Sequence, residues 1–378
     1  MPLAAPPSLA GGSPPFRAVQ GAPGGKSFGA MRPLGLAICY CKTYNKLKKI
    51  KGGNRPMAAQ DTAALRRENG RLIRRAIQSA GAATKKDVMA RTGLSFSTCN
   101  SLINAMVRRG LLLSAGDARP GETGRPSLVY RLDPDYRHFF CVRLEPQGKS
   151  CTLLGIRRDL NGRALGQSTA QCPAGEVLSA LPAFCADGCR GGAVGLVGVS
   201  VPGVVGRDGR IGSCDCAALT GANLAELLRK TLHIPAVCEN DMNLTAWGLA
   251  GQEERADSVA VLSAGREVAQ GAGLVVEGKI VRGHTNFAGE LSCLPVMGET
   301  SLARLAYQIA WIACLVDPAQ VAVLGDRCAP GELPALRALV CRLLPPAHCP
   351  QLTVLAGKDS EEAGLTRLCL QTLDRELL

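Results

Sequence analysis

Six short polar or basic side chains recur along one stretch of this chain: Ser97, Thr98, Asn100, Ser101, Asn104 and Arg108. Hydroxyls and carboxamides of this length both donate and accept hydrogen bonds. On a solvent-facing surface they can reach base edges or phosphates in a DNA major groove. The apolar residues of the same stretch, Cys99, Leu102, Ile103 and Met106, fall at i, i+3, i+4 and i+7, the period of a helix with one buried stripe. The polar set therefore occupies the opposite face. A helix that merely packs leaves such a face solvated, whereas a recognition helix uses it.

Elements on either side must hold that helix. Ser95 is suited to cap its start and Gly110 to end it, and Thr92-Gly93-Leu94 forms a tight turn before it. Thr84 caps a preceding helix running to about Arg91, with Asp87 placed to meet the exposed amides of its first turn. Upstream, from Asp61, Leu65, Leu72, Ile73, Ala76 and Ile77 recur at helical spacing, and Gly81 supplies a stop. Downstream, LLLSAGDARPGETGRPSLVYRL alternates like two strands around a Gly/Pro/Arg tip. The order helix, helix, turn, helix, hairpin predicts a winged helix-turn-helix over residues 61–133. In that arrangement Thr84, Lys85, Lys86 and the hairpin arginines Arg119 and Arg125 contact phosphate, while Ser95 and the outward face of its helix approach the bases.

The charge distribution agrees. Residues 1–60 hold nine basic residues and no acid, residues 61–133 thirteen basic and six acidic, and residues 134–378 twenty-two basic and twenty-five acidic. A basic front on a slightly acidic body is the asymmetry expected when one end meets a polyanion. Residues 1–60 are rich in Pro, Gly and Ala and then in Lys, without a sustained period, and are expected to be a disordered tail. Met57 opens a conventional-looking start, which makes native translation of residues 1–56 a separate question. The longest early apolar run, Leu34 to Ile38, is too short for a signal-peptide core or a membrane span, so a cytoplasmic protein is expected. The 17 cysteines include no CxxC pair, and no His lies at metal-ligand spacing from Cys214/Cys216 or Cys39/Cys41. They read as small hydrophobes in a reducing compartment.

Beyond Asp133, strand-like runs (FFCVRL, CTLLGI, AVGLVGVSVPGVV, SVAVLS, AGLVVEGKIV, QVAVLG) alternate with helical segments at Leu224 to Leu232, Leu244 to Ala250, Ser301 to Val316 and Glu361 to Leu378. This is an α/β body. With GETGRPSLVYRL ahead of it, and with VSVPGVV (199–205), CENDMNLTAWG (238–248), GAGLVVEGKIVRG (271–283) and FAGEL (287–291) in order, the chain from about residue 61 resembles the ROK family of repressors and sugar kinases.

The resemblance implies a two-lobed, actin-like and sugar-kinase-like body over residues 134–378, serving as sensor and oligomerisation domain. Asn240 and Asp241 match the family's pair that holds sugar hydroxyls, the Asp being the catalytic base in its kinases, and Glu290 matches its Gly-Glu sugar contact. Asn223 aligns loosely with a further polar contact. Asp241 also suits a helix cap before Leu244. Departures accompany the matches. VRLEPQGKSCTLLG stands where kinases carry a glycine-rich phosphate turn, SAGREVAQGAG (263–273) stands for the second phosphate loop, and Cys293 stands where the family has a zinc-ligating His. No ATP, no zinc and no enzyme activity are therefore expected.

Taken together, these features predict a transcriptional regulator, a repressor of carbohydrate-metabolism genes, that binds a palindromic operator as a homodimer or homotetramer and responds to a sugar or sugar derivative. Two alternatives stay open: a ROK sugar kinase with an appended head, and a regulator whose sensor has decayed to an oligomerisation body.

Overall fold

The structure, a computed structural model, describes residues 59–117, 127–252, 258–262, 271–325 and 328–377. Residues 1–58, the hairpin tip with Arg119 and Arg125, and positions 263–270 of the second phosphate loop lie outside the described residues.

The front of the described chain is α1 (Ala59–Ala80), β1 (Ala83–Thr84), α2 (Lys85–Thr92), α3 (Phe96–Arg108), β2 (Leu112–Asp117) and β3 (Leu128–Leu132). The caps act as the sequence suggests. Thr84 and Asp87 form a reciprocal capping box on α2, Gly93 closes it in the left-handed conformation at φ 68°, and Ser95 accepts the Thr98 amide at the start of α3. Cys99, Leu102, Ile103 and Met106 are the buried stripe of α3. One strand was not anticipated: β1 pairs antiparallel with β3, which makes a three-stranded sheet in the order β1-β3-β2. The stripe of α1 is shorter than its periodicity implies. Ile73, Ala76 and Ile77 are buried, but Leu65 is 57% and Leu72 38% exposed.

The body has two five-stranded sheets. The first, in the order β10-β7-β4-β5-β6, contains β4 (His138–Gln147), β5 (Ser150–Arg158), β6 (Ala164–Pro173), β7 (Val194–Val201) and β10 (Ala236–Asn240). β4, β7 and β10 run parallel, and β5 and β6 continue the sheet antiparallel. Beside it lie α4 (Val177–Gly188), the ribbon β8 (Gly203–Val205) with β9 (Ile211–Cys214), and α5 (Leu224–Leu232). Two further helices follow the parallel-strand logic, α6 (Asp241–Gln252) directly after β10 and α9 (Asp359–Leu377) at the end of the described chain. The second sheet, β13-β12-β11-β14-β15, is formed by β11 (Val259–Leu262), β12 (Ala272–Val276), β13 (Lys279–Ile280), β14 (Gln320–Leu324) and β15 (Gln351–Leu355), with α7 (Ser301–Val316) and α8 (Leu333–Leu343).

Each sheet has its own apolar core. Val142, Leu153, Leu181, Val199 and Leu228 belong to the first, and Leu274, Ile309, Val323 and Leu336 to the second. A third cluster joins Ile73, Ile103 and Leu132 of the front to Trp247, Leu365 and Cys369 on α6 and α9. The two central helices meet through glycine. A Cβ on Gly248 would lie 1.8 Å from the Ser360 carbonyl oxygen, and one on Gly364 would lie 1.9 Å from that of Leu244. Only residues without a side chain allow backbones to approach this closely.

Candidate functional site

Strands β7 and β10 are parallel and end together, Val201 opposite Asn240. Parallel α/β sheets present ligand sites beyond the carboxyl ends of their strands. Here β7 runs into Pro202-Gly203 and β10 into the first turn of α6, which brings Asn240 and Asp241 to the sheet edge. The second lobe contributes Glu290, which bridges to Gly271 beside β12. Gly289 is required for this approach: its φ is +98°, and a Cβ would sit 2.0 Å from the Ala272 carbonyl oxygen. Asn240, Asp241 and Glu290 thus line one small cavity of about 50 Å³ with Gly203, Ser213 and Asp215.

The polar atoms there are tightly assigned. Asn240 donates through Nδ2 to the Gly203 carbonyl oxygen (3.0 Å) and to Asp241 Oδ1 (3.2 Å), and its Oδ1 accepts the Asn243 amide (2.9 Å). It therefore orients the start of α6. The cap expected at Asp241 is thus made by Asn240, which accepts the amide three residues on; Asp241 is the first residue of the helix, and its Oδ1 accepts the Met242 amide at 2.8 Å. Burial, followed by the negative charge of Glu361, pushes the Asp241 carboxyl up to about 7, against the opposing pull of Lys358 and the Met242 N–H. Burial also raises Asp215 and Glu290. Burial opposes the Lys358 charge, yet Glu361 and Asp241 outweigh it and the ammonium is raised.

Several residues of this network carried no assignment from sequence. Glu361 is buried, accepts Ser200 Oγ at 2.6 Å and pairs with Lys358 at 3.2 Å. Glu239, buried beside the pair, accepts the Asn240 amide, Asn243 Nδ2 and the Arg282 guanidinium. Glu239 stood within the CENDMN motif, which was its one signal, whereas Glu361 had none. Asn223 does not share the cavity. It caps α5 by accepting the Glu226 amide and donates to the Asp208 carbonyl oxygen. At the β4–β5 hairpin, where the phosphate turn is missing, Arg143 pairs with Glu145 at 3.0 Å. Cys293 is exposed, and among the described residues no group of three or more His, Cys, Asp or Glu is placed to hold a metal ion.

The polar face of α3 divides into two sets. Lys85 Nζ donates to Asn100 Oδ1 (2.7 Å) and Asn104 Oδ1 (3.0 Å) and lies 5.4 Å from the Tyr130 ring centroid. These three polar residues tie α2 to α3. Thr84 serves the capping box, and Ser95 bonds Ser97 and Thr98 in the first turn of α3. Lys86, Ser97, Ser101 and Arg108 remain exposed. Phe96, at the first position of α3, is 60% exposed and was not singled out by its sequence context.

A connection runs from the cavity to the front of the chain. α9 starts beside Asp241 with Lys358 and Glu361, packs on α6 through Gly364, and near its end holds Asp374. Asp374 forms a buried ion pair with Arg74 of α1: Nη2 donates to Oδ2 at 2.6 Å, and Nε lies 2.5 Å from Oδ1 without hydrogen-bond geometry.

Residues 167–301 match the family model described as ROK family. The chain carries a ROK domain. Over 252 residues it is 21% identical to the xylose repressor of Bacillus subtilis (strain 168), covering 64% of this chain and 63% of the repressor. It is 33% identical over 82 residues to an uncharacterized protein of Clostridium perfringens (strain 13 / Type A), 21% of this chain and 27% of that one. The chain thus spans less than two thirds of either curated relative. Among solved structures, a ROK family transcriptional regulator described as a homolog of the E. coli MLC protein superposes with a TM-score of 0.66 at 13% identity, over 83% of this chain and 98% of that one. A ROK hexokinase from Thermus thermophilus superposes at 0.52 and 16% identity, over 63% and 99%. At these identities the likeness establishes the mixed α/β, sugar-kinase-like ROK fold. No helix among the described residues is long and apolar enough to cross a membrane.

Proposed function

We propose that this protein is a sequence-specific DNA-binding regulator of carbohydrate-metabolism genes, with a winged helix-turn-helix over residues 61–133 and a ROK-type sensor over residues 134–378. The observation that carries the reading is the connection along α9, from the Asp241 network to the Arg74–Asp374 pair on the first helix of the DNA-binding head. The repressor likeness in sequence and the regulator likeness in fold support the same choice over a kinase.

On DNA, α3 lies in the major groove. Ser97, Ser101 and Arg108 reach bases or phosphates, Lys86 contacts phosphate, and the exposed Phe96 offers an apolar contact for a thymine methyl. Lys85, Asn100 and Asn104 brace the two helices, so their share of recognition is indirect. Arg119 and Arg125, outside the described residues, would supply wing contacts. A symmetric dimer or tetramer would place two heads on half-sites one helical turn apart.

In the sensor, Asp241 and Glu290 accept hydrogen bonds from sugar hydroxyls, and Asn240 holds the start of α6 in place. A cavity of about 50 Å³ holds one or two waters, so a sugar enters only by parting the lobes. Such parting provides the differential affinity for two states that any effector must have.

The test is fluorescence anisotropy of the full chain on DNA from upstream of its own gene, at fixed near-physiological salt, against excess scrambled competitor. Binding that survives competitor and is weakened by about 1–3 kcal/mol in Ser101→Ala is expected. Stripping by competitor, with Ser101→Ala unchanged, would refute base recognition by α3.

A further inference from the structure

A cavity of about 1020 Å³ lies apart from the sugar cleft, and none of Asn240, Asp241 or Glu290 lines it. Its walls are the inner turns of α1, one face of α9 from Asp359 to Arg375, and the β12–β13 turn. It is therefore bounded by the head helix and by the helix that joins head to sensor.

The charges on its walls do not balance. Arg74 is neutralised by Asp374, Arg158 by Glu362, and Arg282 by Glu239. Arg75 lies 4.0 Å from Asp374, whose carboxylate already holds Arg74. Lys279, Arg367 and Arg375 line the cavity without an ion pair to any described carboxylate, and Asp359 is the one lining acid without a cation partner. Arg367 lies 4.4 Å from the Trp247 ring and donates to the Trp247 carbonyl oxygen at 3.1 Å. Burial, and then the neighbouring Arg75 cation, hold its guanidinium below the usual value. Two guanidiniums thus repel one another at the edge of a space large enough for a small molecule. Gln371 adds a neutral donor to the same walls, whereas Thr366 Oγ1 and Gln78 Nε2 already donate to the carbonyl oxygens of Glu362 and Leu160.

Guanidinium groups present planar pairs of N–H donors that match phosphate oxygens, and several cations around one recess favour a polyanion over a monovalent ion. We propose that this cavity binds a phosphate-bearing small molecule, whose phosphoryl oxygens are held by Arg75 from α1 and by Arg367 and Arg375 from α9, with Lys279 closing the site. Because its ligands come from both helices, an occupant fastens α1 to α9. Binding itself is independent of the regulator reading, and its effect on DNA affinity rests on that reading.

The test is isothermal titration calorimetry of the full chain with inorganic pyrophosphate at constant ionic strength. Arg75→Gln and Lys279→Gln change exposed side chains and preserve the fold, Arg367→Gln removes the stacked guanidinium, and Lys86→Gln is the control for general basic charge. One saturable site per chain is expected, weakened at least tenfold by Arg75→Gln and by Arg367→Gln, somewhat less by Lys279→Gln, and unchanged by Lys86→Gln. Absence of saturable binding would overturn the proposal. So would binding that Arg75→Gln and Lys279→Gln leave unchanged, which would place the anion elsewhere, or an equal loss in Lys86→Gln, which would mean unspecific attraction. DNA anisotropy with the same variants separates the two readings, since pyrophosphate binding persists even where no operator is recognised.

Discussion

Asp374→Ala should destabilise this protein far more than replacing both members of its ion pair with apolar residues. The Arg74 and Asp374 side chains are 4% and 3% exposed, and two of the guanidinium nitrogens meet the two carboxylate oxygens. Truncating Asp374 leaves a desolvated guanidinium whose remaining partner is Gln78 Oε1, at 2.8 Å. Removing one member of a buried pair costs about 3–5 kcal/mol, because the other charge stays buried without compensation. Against a total stability of roughly 5–15 kcal/mol, that is enough to loosen α1 from α9. Arg74→Met with Asp374→Leu removes both charges and keeps the volume, and should fall within about 1 kcal/mol of the parent. Urea denaturation of the parent, Arg74→Met, Asp374→Leu and the double variant reads the coupling directly, and a value near 3 kcal/mol is expected. The double variant should also bind DNA while responding less to sugar. If the single-variant losses add, with a coupling below about 0.5 kcal/mol, the pair does not join the helices and the connection along α9 fails as an explanation.

Four further outcomes follow from the same geometry. The folded state holds the Asp241 carboxyl at about 7, above its ordinary value, so its ionisation weakens the fold as pH rises toward 7, and full stability from this group is present only below about pH 4. Asp241→Asn should therefore gain stability relative to the parent as pH rises from about 4 to about 7 in urea titrations, and parallel pH profiles would contradict the burial argument. For the same reason sugar affinity should rise with pH through about 7 in the parent and become flat in Asp241→Asn, as measured by calorimetry. Gly248→Ala places a Cβ 1.8 Å from the Ser360 carbonyl oxygen, so α6 and α9 must separate, at a cost of about 1–3 kcal/mol read from urea denaturation. Lys85→Met should lower the melting temperature and weaken DNA binding equally on operator and scrambled DNA, whereas Ser101→Ala should leave melting unchanged and weaken the operator complex alone.

Much of this molecule was legible from residues close together in the chain. The buried stripe at Cys99, Leu102, Ile103 and Met106, the caps at Thr84 and Ser95 and the helix ends at Gly93 and Gly110 depend on spacings of three or four residues, which backbone geometry imposes locally. The motifs around Asn240, Asp241 and Glu290 identified the family and brought these three residues to one cavity, although the loose alignment of Asn223 led to a helix cap outside it. Composition likewise separated a basic front from an acidic body. The tertiary structure alone decided which polar residues are available to a ligand. Periodicity placed Lys85, Asn100 and Asn104 on a polar face, but it could not reveal that the ammonium turns inward between the two carboxamides. Nor could it foresee the 300-residue separation closed by Arg74 and Asp374, the placing of Glu361 beside Asp241, or the glycine contact between α6 and α9. Those arrangements depend on how whole helices are carried past one another by the two sheets. The energies involved, desolvation and Coulomb interaction over a few ångströms, depend on distance through space, which local sequence does not encode.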